Sequence, residues 1–326
     1  MGWENSTFDG KEEVIADMVP RVRTAIQLKP RREITGDFVT DSWFFGAREL
    51  IFKKDARLIF SQAAMAKRSE LFVVAETITV EDGTGVITCQ RLEPPAQGER
   101  GQASSGAAGQ GEGADGLPGA PGAEGITGSA GQNMADVTLF VSSLGGNGNL
   151  EIATIGGVGG VGGRGQRGGD GGAGTQGTSA RQDSRDAGWP IGTVWLPYCA
   201  SGPGQGGNGG AGGVGGPGGK GGAGGKGGTI TITSEPARHQ ILTQAINVLS
   251  DGGAGGKGGE SGAGGTGGAG GPEGPLASFC NSAGRHGRTG VTGADGIVGG
   301  DGAPGTAGAQ FVVGIESAVL RDWFGY

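Results

Sequence analysis

Histidine and tyrosine each occur twice and cysteine three times in these 326 residues, and each scarcity closes off a class of function. His239 and His286 are the only neutral-pH bases, and neither has a Cys, Ser or Asp partner at a motif spacing. No catalytic, cofactor-binding or metal-ligating residue is therefore assigned, and the chain is read as a non-enzyme. Cys89, Cys199 and Cys280 lie far apart and form no CxxC pair, so neither a zinc knuckle nor a disulfide framework is expected. At most one bridge can form, and which cysteines pair stays open. No run approaches about 18 apolar residues, and the opening MGWENSTFDGKEE lacks the basic and apolar regions of a secretory signal. Membrane insertion and Sec export are not expected. The net charge of −7 is spread without blocks, which argues against a nucleic-acid partner.

Glycine is what the chain has in excess, 80 residues or one in four, against an ordinary usage of about 7%. Six lie in residues 1–97 and two in 309–326, which leaves 72 for residues 98–308. Within that stretch glycine recurs at every third position in five tracts, 113–131, 156–177, 204–228, 253–274 and 284–308. GxGxxG strings recur there as a by-product of the period and carry no phosphate-binding meaning without a strand–loop–helix context. Lys220, Lys226 and Lys257 each follow glycine but precede glycine, so the Walker pattern is not met.

A period of three matches the left-handed polyproline or polyglycine II helix, which rises about 3.1 Å per residue and has no internal hydrogen bonds. Its N–H and C=O groups must bond to water or to a neighbouring segment, and only a bare glycine face lets backbones come close enough. Collagen would demand more proline than Pro118, Pro121 and Pro304 supply to the Gly-X-Y tracts. A disordered linker would have no reason to keep phase. The tracts 204–228 and 252–271 carry glycine at two positions of three, so they are expected in the interior, with Gly207, Gly210, Gly213, Gly216, Gly256 and Gly259 as packing positions. Val214 then points outward, and Gly213→Val is expected to be far more damaging than Val214→Ala. The tracts 113–131 and 284–308, with one bare face, are expected at the periphery. The spacer 275–283 is too short to retrace a rod, which makes the last two tracts antiparallel.

The spacers read as short β-runs. DVTLFVSS (136–143) and NLEIATI (149–155), separated by GGN, suggest a hairpin. Spacer 178–203 gathers Trp189, Trp195 and Tyr198 beside Pro190 and Pro197. These aromatics serve either as a cap on the bundle end or as a ligand-contacting loop, since aromatics flanked by prolines give rigid amphipathic surface. In the head, residues 11–28 have helical apolar spacing interrupted by Pro20, and from about residue 33 short apolar runs suggest a small sandwich or β-solenoid coils.

The expected fold class is thus all-β or irregular: a bundle of polyglycine II helices with strand spacers, preceded by a β-rich head with a short helix. Three domains follow from composition: a docking or capping head at 1–97, the bundle at 98–308, and a C-terminal strand and tail at 309–326. The Gly-Gly-X tracts alternating with non-glycine spacers resemble the distal long-tail-fibre adhesins of T-even-like phages, in which a polyglycine II sandwich presents variable receptor-binding segments. That resemblance covers about 98–308. It implies a structural or adhesive protein outside the cell or on a virion, with a cell-surface receptor or a fibre as partner. A subunit of a stiff extracellular filament assembled through the head is the alternative, so self-association of copies stays open. Ice binding is disfavoured by the charged residues Lys257 and Glu260 in the outward set.

Overall fold

The computed structural model describes residues 4–6, 12–188, 192–281 and 283–324. Strands β1 (Glu4–Ser6), β2 (Arg31–Ile34), β3 (Asp37–Thr40), β4 (Phe44–Phe52), β5 (Arg57–Phe60), β6 (Glu70–Val80) and β7 (Thr84–Cys89) come from the head. They are followed by β8 (Asp136–Gly146), β9 (Asn149–Ala153), β10 (Arg181–Asp186), β11 (Trp195–Ser201), β12 (Ile230–Ser234), β13 (Ile246–Leu249) and β14 (Gln310–Gly314). The α-helices are α1 (Glu12–Leu28), α2 (Gln62–Lys67), α3 (His239–Ala245) and α4 (Ser317–Phe324).

Two parallel sheets dominate. One has seven strands in the order β1-β14-β12-β8-β6-β4-β2, the other five in the order β13-β9-β7-β5-β3. From β2 onward the chain crosses between them, so each strand pairs with one laid down a full coil earlier, as β6 does with β4 and β8 with β6. The inward faces share one core that includes Phe52, Leu58, Phe60, Leu71, Ile87, Leu139, Ile152 and Ile232. The outer face of the seven-stranded sheet is covered as well: Phe72, Val74 and Phe140 pack against Met18 and Val22 of α1 and Trp323 of α4. The Phe140 and Trp323 ring centroids are 4.8 Å apart. Burial on both faces explains why β6 reads LFVVA without alternation.

Helix α1 has a spatial task. It leads from β1, at one rim of the seven-stranded sheet, to β2 at the other, six strand spacings or about 29 Å away. Its 17 residues span about 25 Å despite Pro20 within it. Cys89 is buried in the core, and desolvation pushes its thiol up to about 12.

This architecture corrects the expected fold class. The chain is an α/β fold on two parallel sheets with a few helices, and not an all-β or irregular bundle of polyglycine II helices. Local patterns mislead here because parallel partners lie far apart in sequence: β8 pairs with β6 across 66 residues and with β12 across 93. For the same reason β8 and β9 are not a hairpin; they lie in different sheets. The seven-stranded sheet combines strands from 1–97, 98–308 and 309–326, so it crosses each compositional boundary.

The glycine tracts are excursions from this frame. After β7, β9 and β13 the chain leaves the five-stranded sheet, runs out, turns and returns to the seven-stranded sheet at β8, β12 and β14. Out-and-back partners are antiparallel, as in Gly225 N–H to Gly157 O and Gly207 N–H to Thr175 O, both 2.8 Å, and in Gly305 to Gly253 and Gly287 to Gly271. Tracts running in the same direction are parallel and keep the strand register. Asp115 faces Asn208 across 93 residues, the same offset that pairs Val137 with Ile230. Asn208 faces Arg288 across 80, the offset that pairs Ile230 with Gln310.

The tracts 204–228 and 156–177 are the most enclosed: 204–228 is hydrogen-bonded to 113–131, 156–177, 252–274 and 284–308, and 156–177 to 98–109, 113–131, 204–228 and 252–274. The tract 284–308 bonds only to 204–228 and 250–274 among the described residues. Segment 98–109 is a sixth member, through bonds such as Ala103 N–H to Arg167 O and Gly106 N–H to Asp170 O.

Candidate binding tip

The tip is built where the excursions turn. Strand β10 carries RQDSRD and β11 WLPYCAS, and their antiparallel pairing sets Asp186 opposite Trp195 and Asp183 opposite Tyr198. Every residue of both strands is exposed. Side chains alternate along a strand, so Trp195, Pro197 and Cys199 share one face while Leu196 and Tyr198 share the other. Trp195 is 63% exposed and Tyr198 40%, so neither seals the end of the tracts. The structure does not bring Trp195 and Tyr198 to one face, and Trp189 lies outside the described residues.

Cys199 is bonded to Cys280, with Cα atoms 5.0 Å apart, and this fastens the hairpin to the turn 275–283. Ala180 N–H also donates to Pro275 O at 2.9 Å. The turn adds two exposed apolar side chains, Leu276 and Phe279, to Val194, Trp195, Leu196 and Tyr198. The Arg185 guanidinium lies 5.9 Å from the Tyr198 ring centroid, and Arg181 pairs with Asp183 at 3.5 Å. The tip therefore offers exposed aromatic and aliphatic side chains on both faces of the hairpin, with charges of both signs beside them, suited to non-covalent contact. Sequence reasoning passed over Leu276, Phe279 and Arg185. The nine-residue run PLASFCNSA held a signal in its two large apolar residues, placed where no core is available to cover them.

The packing glycines form a separate set. A Cβ at Gly207, Gly210, Gly213 or Gly216 would lie 1.9–2.0 Å from a carbonyl oxygen of tract 113–131, and at Gly256 or Gly259 2.0 Å from one of tract 156–177. At the rod edges, Asp and Asn oxygens accept N–H groups of the neighbouring tract. Asp170 Oδ1 accepts from Thr266 N–H at 2.8 Å, Asp301 from Gly258 and Asp295 from Gly264. The Thr266 N–H holds the Asp170 carboxyl down to about 2, and the Gly258 N–H lowers that of Asp301. Of the two histidines, His239 sits 3.1 Å from Ser234 O and His286 is exposed on tract 284–308. Among the described residues, no three His, Cys, Asp or Glu side chains are grouped to hold a metal, and no helix is long and apolar enough to cross a membrane.

No protein-family model and no curated protein matches the chain. Among solved structures, a nine polyproline type II helical bundle springtail antifreeze protein from Granisotoma rainieri is 25% identical, covering 62% of this chain and 96% of that one, with a TM-score of 0.09. At that score the two backbones do not superpose, and nothing about this chain follows from the likeness.

Proposed function

We propose that this is a non-enzymatic adhesive protein whose glycine tracts hold a disulfide-fastened tip away from the two sheets, for contact with a cell-surface receptor. The observation that carries the reading is the tip itself: six exposed large apolar residues on a hairpin and a turn that are covalently joined. At about 3.1 Å per residue, tracts of 22 to 25 residues set that surface about 70 Å from the strands. Large apolar side chains left in water at a tip that has no core to cover them mark an interaction site. The disulfide suits an oxidising setting outside the cell or on a virion.

Binding of purified protein to host cells tests the reading. Trp195→Ala and Tyr198→Ala are expected to reduce binding at least tenfold while leaving the melting temperature within about 2 °C, because exposed side chains contribute little to stability. Unchanged binding with a lowered melting temperature would show that the aromatics serve only to hold the tip together.

A further inference from the structure

The rim of the sheets opposite β1 is open. Strands β2 and β3 each pair on one side only, so their outer N–H and C=O groups have no strand partner among the described residues. Large apolar side chains stand exposed beside this rim, with Leu28 at 75% and Phe38 and Val39 also exposed. Native proteins cover or blunt such edges, because a bare parallel edge is a template for another strand.

One arginine at this rim differs from its neighbours. Arg31 pairs with Glu33 and Glu49, Lys53 with Glu33 and Glu81, and Arg21 and Arg68 with Asp17. Arg32 has no carboxylate partner among the described residues. Its guanidinium lies 4.6 Å over the Phe45 ring, and its Nε is buried without a hydrogen bond. Burial lowers its pKa, the sign of a cation that has lost water without gaining an anion. Beside it, between α1 and β4, is a concavity of about 500 Å³ lined by Arg21, Thr24, Leu28, Arg32, Trp43 and Phe45, with no Asp or Glu in its wall.

We propose that the free edge of β2 takes up an extended segment of another protein, whose carboxylate side chain enters this concavity beside Arg32. Strand addition satisfies the backbone of β2, and alternation in the incoming strand places its inward side chains beside Arg32 and Ile34. A carboxylate there completes the missing ion pair, with apolar residues two positions to either side meeting Leu28 and Phe38. A second copy stacked end to end is a poorer occupant, since the far rim of the same sheet ends on β1, which is three residues long.

The test uses the full chain and a blocked heptapeptide, Thr-Val-Thr-Glu-Thr-Val-Thr, with its Gln analogue as control. Calorimetry is expected to show at least tenfold tighter binding of the Glu peptide, with amide shifts centred on residues 31–34. Arg32→Gln is expected to bring the two peptides within twofold of each other, and Arg31→Gln to leave the preference intact. Arg32→Lys, which keeps the charge, retains a preference for Glu and serves where Arg32→Gln does not fold. Equal affinities, no measurable heat for either peptide, or shifts away from β2 would each overturn the proposal. So would concentration-dependent assembly in sedimentation velocity that Arg32→Gln abolishes, which would place a second copy on the edge. None of these outcomes bears on the tip, which is assayed on cells.

Discussion

Replacing Gly213 by alanine adds a single methyl group at the point where the enclosed tract 204–228 meets 113–131. The new Cβ would stand 2.0 Å from Ala120 O, 2.6 Å from Ala120 C and 2.9 Å from Gly119 O, all backbone atoms that cannot swing aside. Relief to an ordinary contact of about 3.4 Å requires the two tracts to part by about 1.4 Å. Taken along the hydrogen-bond direction, that carries Gly119 N–H to Ala211 O (2.9 Å) and Gly122 N–H to Val214 O (2.8 Å) past 4 Å, out of bonding range. Two lost bonds at about 1 kcal/mol each, with enclosed polar groups left unpaired at about 1–3 kcal/mol, give a loss of about 3–5 kcal/mol. Gly300→Ala is the matched control, because nothing lies within 4 Å of its added methyl. It is expected to be neutral, or stabilising by about 0.4–1 kcal/mol through the unfolded chain. Guanidinium unfolding measures both, and hydrogen exchange at Gly119 and Gly122 reports the local separation. Equal free-energy changes for Gly213→Ala and Gly300→Ala would refute the claim that carbonyl contact fixes the tract spacing.

Two further outcomes follow from the rod edges and the tip. Asp170 has a folded pKa depressed to about 2, below its unfolded value of about 3.9, so the stability it contributes is present above the unfolded pKa and lost as pH falls from about 4 to 2. Acid unfolding curves of Asp170→Asn should lack that part of the pH dependence, and an unchanged slope would contradict the Thr266 contact. Reducing the Cys199–Cys280 bond removes closure of an 81-residue separation, which the chain-entropy model values at about 4.5 kcal/mol. Amide exchange should then rise in β10, β11 and 275–283, with β6 and β8 unchanged.

The phase of the glycines was readable because each close approach leaves its mark at the residue that makes it, whatever the partner: a residue whose Cβ would strike a carbonyl must be glycine, and Gly207 and Gly256 announce themselves through period alone. The direction of the last two tracts was also readable, since nine residues cannot span a rod's length. The sheets were hidden because their pairing is not local. LFVVA and TLFVSS are neighbours in space but 66 residues apart in sequence, and nothing within either names its partner. Segment 98–109 escaped notice because Ser104 and Ala107 interrupt its glycines, and both occupy places where their carbonyls receive Ala120 and Leu117 N–H groups. At the tip, Trp195 and Tyr198 were legible as notable residues, while their separation onto opposite faces depends on a hairpin register that composition does not encode.

The constant offsets of 93 and 80 across both strands and tracts constrain how such a molecule can change length. One residue inserted in a tract rotates every later side chain by a third of a turn and drives a bulky group into the bare face. A viable change adds or removes whole triplets, about 9.3 Å each, and does so in the outgoing and returning arms together. Reach is therefore quantised, whereas the turns at the far end lie outside the ladder and are free to vary in sequence and size. Heredity can redraw the tip residue by residue, but it can move the tip outward only in steps of fixed size.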